Sequence, residues 1–206
     1  MGFVYHGSSV GGLNILAPRI STHNKNYVYA TRHREIAVVF LCKWNDFLLT
    51  LGSSGYGDKA LPLTLVERYE NAFEDIYSKK KGYIYILEDE DFFNDPRIDA
   101  NELVSEREVK PIYCEEIDDV FKEIRELSAN GKIGLCYYPD RPKNIPKNDI
   151  DLARKAVEIY NLNGHLNIAV YCVERFPHLK NMVYNEFNKA SVDLTEYEAW
   201  KALKIK

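Results

Sequence analysis

Three short segments of the 206-residue chain hold residue types that can do chemistry together. The first is His6-Gly7-Ser8, at the end of the apolar run Phe3-Val4-Tyr5. An imidazole is the side chain whose proton is most easily gained or lost near neutrality. The second is Tyr27-Val28-Tyr29-Ala30-Thr31, which offers an aromatic face on an extended segment. The third is Asn101-Glu102-Leu103-Val104-Ser105, which opens with a carboxylate, the group suited to steadying positive charge. The order is His, Tyr, Glu, with gaps of 23 and 73 residues. Glu106 and Glu108 are rival carboxylates on the third segment, and Glu106 shares the strand face of Glu102 if the segment is extended.

The elements that must position these residues follow from pattern. Phe3–His6, Tyr27–Ala30, Asn45–Leu51, Tyr83–Leu87, Leu103–Ser105 and Val109–Ile112 are rich in β-formers and read as strands. Helical spacing of apolar residues predicts helices over Arg32–Cys42, Leu65–Lys79 and Glu116–Asn130. Thr31 is the expected N-cap of the first. Lys79-Lys80-Lys81-Gly82 is expected to end the second, with the lysines complementing the helix dipole. Gly52 to Gly57 reads as a loop. Past Gly131 the character changes. Tyr137 to Pro142, followed by Pro146, reads as a stiff link, and helices follow over 149–160, 166–175 and 178–190. The expected organisation is an α+β domain over 1–131 and a helical C-terminal extension over 132–206.

Bulk properties narrow the function classes. Hydrophobic residues make up 46% and charged residues 28%, as in a globule with its own core. The net charge of −4 argues against a broad nucleic-acid footprint. Arg19, Lys25, Arg32, His33 and Arg34 nevertheless make one segment locally basic, enough for a small anionic ligand. Cys42, Cys114, Cys136 and Cys172 form no CxxC pair and no metal knuckle, so free thiols of a reducing compartment and no metal are expected. No apolar run approaches the roughly 20 residues of a membrane span. A cytoplasmic protein that engages no membrane is the expectation.

The order and strand context of His6-Gly7, Tyr29 and Glu102 resemble the His-Tyr-Glu signature of the ADP-ribosyltransferase superfamily, in the branch that holds diphtheria toxin and the poly(ADP-ribose) polymerases. The resemblance covers roughly Phe3 to Pro111. It implies an ADP-ribosyltransferase-like split mixed β-sheet domain that uses NAD as substrate. By that resemblance His6 binds a ribose hydroxyl and the backbone of Gly7 meets the nicotinamide amide. Tyr29 stacks on the nicotinamide ring, and Glu102 stabilises the cationic ribose as nicotinamide leaves. Arg19 becomes a candidate for the pyrophosphate, and Ser8, Ala30 and Thr31 become candidate pocket-lining residues. Two departures stand out: Tyr27 where the second motif often has Gly, and Leu103 where an aromatic often follows the acid.

The implied activity is transfer of ADP-ribose to an acceptor (a protein, a nucleic acid or a small molecule) with release of nicotinamide. A binding module that senses NAD or ADP-ribose without turnover is the alternative. An RNA 2′-phosphotransferase-like reading is disfavoured by the acidic balance.

Overall fold

The computed structural model describes residues 2–20, 25–53, 63–98 and 100–203. The chain divides into two compact units, Met1–Asp140 and Arg141–Lys206. The first is mixed α+β with small sheets; the second is helical.

In the first unit, β1 (Phe3–Ser8), β6 (Gly82–Glu88) and β8 (Tyr113–Ile117) form an antiparallel sheet in the order β1-β6-β8. A second sheet is β2 (Arg19–Ile20), β3 (Asn26–Ala30) and β7 (Leu103–Ser105). A third joins β4 (Leu49–Ser53), β5 (Leu63–Glu67) and β9 (Gly134–Cys136), with β5 and β9 parallel. The first two sheets meet at one bridge, where Tyr5 N–H donates to Thr31 C=O at 2.8 Å and Thr31 N–H to Tyr5 C=O at 3.0 Å. The helices are α1 (Arg34–Val39), α2 (Ala72–Tyr77) and α3 (Val120–Ala129).

Strand alternation sends side chains to two cores. Ile84 and Ile117 join Val38, Val39, Leu41, Phe73, Tyr77 and Ile124 on the helix-covered side. Val4, Tyr85 and Leu87 face the other way, with Val28, Ala30, Leu103 and Val109. Tyr27, Ile98 and Val104 make a third, smaller cluster, with Tyr29 against it. The buried Tyr77 donates from its hydroxyl to Val39 C=O at 3.0 Å and so ties α2 to the end of α1. Arg34 anchors the start of α1: it holds Glu115 of β8 through two hydrogen bonds and Glu123 of α3 through a third at 2.8 Å.

Several boundaries depart from the sequence-based expectation. Leu65 lies in strand β5, not in a helix; Asn71 turns left-handed (φ 65°) and α2 begins only at Ala72. The lysines at 79–81 follow the end of α2, and Gly82 opens β6 rather than stopping a helix. Strand β4 starts at Leu49 because Asn45 bends the chain first, its Oδ1 accepting from Phe47 N–H at 2.9 Å. Val109 makes only an isolated bridge to Leu16, and the strand follows at Tyr113–Ile117. Asp119 caps α3 by accepting from Lys122 N–H at 3.0 Å, so the helix starts after Glu116. Of the expected loop at 52–57, Gly52 and Ser53 belong to β4, and 54–57 lie outside the described residues. The units divide at Asp140 rather than at 131, because β9 pairs with β5 of the first unit.

The second unit contains α4 (Ile150–Asn163), α5 (Asn167–Arg175), a 3-10 turn (Pro177–Leu179), α6 (Lys180–Lys189) and α7 (Glu198–Lys201). Gly164, at φ 72°, ends α4 as a left-handed cap. Leu152, Ala156, Cys172, Val173, Val183 and Phe187 are buried in this unit. Among the described residues no helix is long and apolar enough to cross a membrane.

Candidate functional site

The strands that carry the three candidate residues are neighbours, in the order β7, β3, β1. Leu103 pairs with Ala30 and Val104 with Tyr29, and Thr31 just beyond β3 bridges to Tyr5 on β1. One step past the Ala30–Leu103 pair stand Thr31 and Glu102. At about 4.8 Å per strand spacing, the backbones of His6 and Glu102 lie roughly 10 Å apart.

The edge of β3 that faces β1 is divided. Tyr27, at one end, pairs with Arg19 of β2, and Thr31, at the other, meets Tyr5 of β1. Tyr29 sits between them. In an antiparallel strand, alternate residues turn N–H and C=O to the same edge. Tyr29 therefore points its carbonyl into the gap between β1 and β2, and Gly7, two residues beyond Tyr5, turns its backbone to that gap from the other side. The ring of His6 fills part of it: His6 Nδ1 lies 2.7 Å from Tyr29 C=O.

That contact settles the imidazole tautomer. A carbonyl can only accept, so Nδ1 carries the hydrogen and the neutral ring keeps an unprotonated Nε2. Burial pushes the His6 pKa below the ordinary value of 6.5; the bond to Tyr29 opposes this, and the charge of Arg19 adds to it. His6 is thus neutral at pH 7, with Nε2 as a hydrogen-bond acceptor. Arg19 is exposed, and among the described residues it forms no ion pair. Its place in β2, paired with Tyr27, sets it on the far side of the same gap.

The side chains do not all leave one face of the sheet. Tyr29, Thr31 and Glu102 share a face with Val104, by strand alternation and by the packing of Tyr29 on the Val104 cluster. His6 leaves on the opposite face, with Val4 and Tyr85, and reaches the gap only through its ring. The ring of Tyr29 is half-buried, edge-on to Tyr27 at 5.9 Å and 77°. Glu102 is half-buried, and its carbonyl accepts from Asn94 Nδ2 at 3.1 Å. Glu106 and Glu108 are exposed beyond the end of β7.

The other candidates have definite structural roles. A Cβ on Gly7 would stand 2.2 Å from the carbonyl oxygen of Ala37, so helix α1 alone demands glycine there. Ser8 Oγ accepts from Val10 N–H at 3.1 Å. Ala30 is buried in the core with Val28 and Leu103. Thr31 is buried and does not cap α1, whose N-cap is His33; its Oγ1 accepts from His33 N–H at 3.2 Å. Of the locally basic segment, Arg32 pairs with Asp89 at 2.8 Å and Arg34 with Glu115 and Glu123, so both are committed within the chain.

Two features escaped the sequence reading. Phe40, which falls inside the helix expected over 32–42, instead follows the end of α1 and is half-buried, beside Gly7 and tilted against Trp44 at 5.1 Å. The segment Phe93–Arg97 touches both β3 and β7. Phe93 exchanges backbone bonds with Val104, and Asp95 accepts from the hydroxyl of Tyr27 at 2.9 Å. No sequence signal links Asp95 to a partner 68 residues away. Among the described residues no group of three or more His, Cys, Asp or Glu could hold a metal ion.

The first unit is a mixed α+β fold in which two small sheets meet at one bridge, with the His6 ring against the Tyr29 carbonyl at that junction. No protein-family model, no curated protein and no solved structure matches the chain.

Proposed function

We propose that the first unit is an ADP-ribosyltransferase-like domain that binds NAD at the β1–β2 gap and transfers ADP-ribose to an acceptor, releasing nicotinamide. The observation that carries the reading is the His6–Tyr29 contact. It fixes a neutral imidazole against the backbone of the strand that carries Tyr29, with Nε2 left as an acceptor, and that strand pairs with the one led by Glu102. The split between β1 and β2 supports the same reading, because it leaves the backbone of Gly7 facing the gap rather than another strand.

In this reading Tyr29 holds the nicotinamide ring, and a cationic ring on an aromatic face gains a cation–π contribution. Nε2 of His6 accepts from a ribose hydroxyl, and Arg19 meets the pyrophosphate. The bond between the anomeric carbon and the pyridinium nitrogen breaks, and its electron pair leaves with nicotinamide, which departs neutral. The carboxylate of Glu102 stabilises the oxocarbenium-like ribose. The acceptor, a nucleophile on a protein, nucleic acid or small molecule, attacks the anomeric carbon and loses its proton to solvent.

The test is incubation of the purified chain with NAD, with nicotinamide measured by chromatography and NAD affinity by calorimetry. Glu102→Gln is expected to lower nicotinamide release about a hundredfold or more, the usual cost of removing one electrostatic stabiliser of a transition state, while leaving NAD affinity within a factor of a few. His6→Ala is expected to weaken binding itself. NAD binding without release, unchanged in Glu102→Gln, converts the reading to a sensing module; absence of both binding and release overturns it.

A further inference from the structure

Asp95 is 5% exposed, and its carboxylate is the hub of a compact network. It accepts from Tyr27 Oη at 2.9 Å, from Arg97 backbone N–H at 3.0 Å and from Arg97 Nε at 2.8 Å, with a further bond from the Arg97 guanidinium. The same guanidinium donates to Tyr27 Oη at 3.2 Å. Tyr27 is itself buried, with both its hydroxyl and its ring engaged. One ring contact is edge-on to Phe93 at 6.2 Å and 87°; the other is to Tyr29 at 5.9 Å and 77°. The Arg97 hydrogen bonds hold Asp95 well below the usual carboxylate range, so the hub stays ionised at working pH.

A surface turn does not need a buried carboxylate with four donors. The arrangement makes sense through what it fixes. The Tyr27 ring has two rotatable bonds, and its far end is pinned by Asp95 and Arg97. With the hydroxyl pinned, the ring wall that meets Tyr29 cannot swing. We infer that Asp95 is a positioning residue for the NAD site, setting the orientation of the Tyr29 ring through Tyr27. The inference rests on the ADP-ribosyltransferase reading and names one determinant of NAD affinity that lies outside the His-Tyr-Glu set.

The test uses the full chain with Asp95→Asn and, as a milder change that keeps the ring, Tyr27→Phe. Both are expected to raise the NAD dissociation constant roughly two- to tenfold, the equivalent of losing one edge-to-face aromatic contact. kcat at saturating NAD stays within about twofold, because Tyr29 holds the ground state as firmly as the transition state. Neither change is expected to weaken binding further in a Tyr29→Ala background, since the effect runs through that ring. A purely structural role would lower the melting temperature and leave this coupling at zero. If wild type binds NAD and both variants bind equally well, or if their effects add to that of Tyr29→Ala, the positioning role is overturned and the site reading stands. If wild type does not bind NAD, both are overturned.

Discussion

Gly7→Ala probes the densest contact at the site. The new methyl would meet the Ala37 carbonyl oxygen at 2.2 Å, its carbon at 3.2 Å and the Phe40 carbonyl carbon at 3.4 Å. Opening the first contact to the 3.0 Å that real Cβ atoms respect needs a shift of about 0.8 Å. The obstacle is helix backbone, so no side chain can rotate away. Helix α1 is also anchored at both ends, by Arg34 to Glu115 and Glu123 and by the Tyr77 hydroxyl to Val39. β1 is held by six cross-strand pairs to β6. The change is therefore an overpacking substitution at the upper end of its class, costing about 2–3 kcal/mol. For a chain of this size that corresponds to a fall in melting temperature of about 4–12 °C. Gly12→Ala is the control. Gly12 sits at φ 72° with no atom within 4 Å of the added methyl, so only left-handed strain is paid, about 1–2 kcal/mol. Thermal melts by circular dichroism, with urea unfolding to give free energies, separate the two. If Gly7→Ala melts within about 1 °C of wild type, or above Gly12→Ala, the packing argument is wrong.

Two further predictions concern buried groups. Burial keeps the His6 pKa below 6.5, so as pH falls the unfolded chain takes up this proton before the folded one does. The group has no effect on stability above 6.5, and stability is lost between 6.5 and the lower folded value. His6→Gln should flatten the pH dependence of the urea midpoint in that window, and a slope equal to that of wild type would refute the assignment. Glu67 is 2% exposed and accepts from Phe73 N–H at 2.8 Å, in the first turn of α2, and from Tyr138 N–H at 3.0 Å. Glu67→Ala leaves one buried and one partly buried donor without that acceptor and should cost about 1–3 kcal/mol, with Glu67→Gln recovering part of it; a loss under about 0.5 kcal/mol in urea unfolding would show that other groups take over.

Where the pattern was local, it was legible. Tyr83-Ile84-Tyr85-Ile86-Leu87 reads as a strand from its β-formers alone, and β6 occupies Gly82–Glu88. The helices expected over 149–160, 166–175 and 178–190 are α4, α5 and α6 within a few residues, whereas the short α7 was not foreseen. Leu65 lies in a strand for a physical reason that no local pattern shows. Leu65, Tyr69, Phe73 and Tyr77 keep a helical spacing, but Leu65 is held by strands at 49–53 and 134–136, partners that no local window contains. The same non-local pairing moved the end of the first unit from 131 to Asp140.

At the site, the sequence by itself determined the residue types: an imidazole before a glycine, tyrosines on a β-forming run, a carboxylate before a short strand. Only the tertiary structure decided how they act together. It divided one edge of β3 between β1 and β2, turned the His6 ring into the gap, and chose its tautomer through the carbonyl of Tyr29. It also gave Gly7 a second reason to be glycine, in the backbone of α1. These outcomes depend on which strands pair and which helix lies across them. That choice belongs to the burial and hydrogen bonding of the whole unit, and no short motif encodes it.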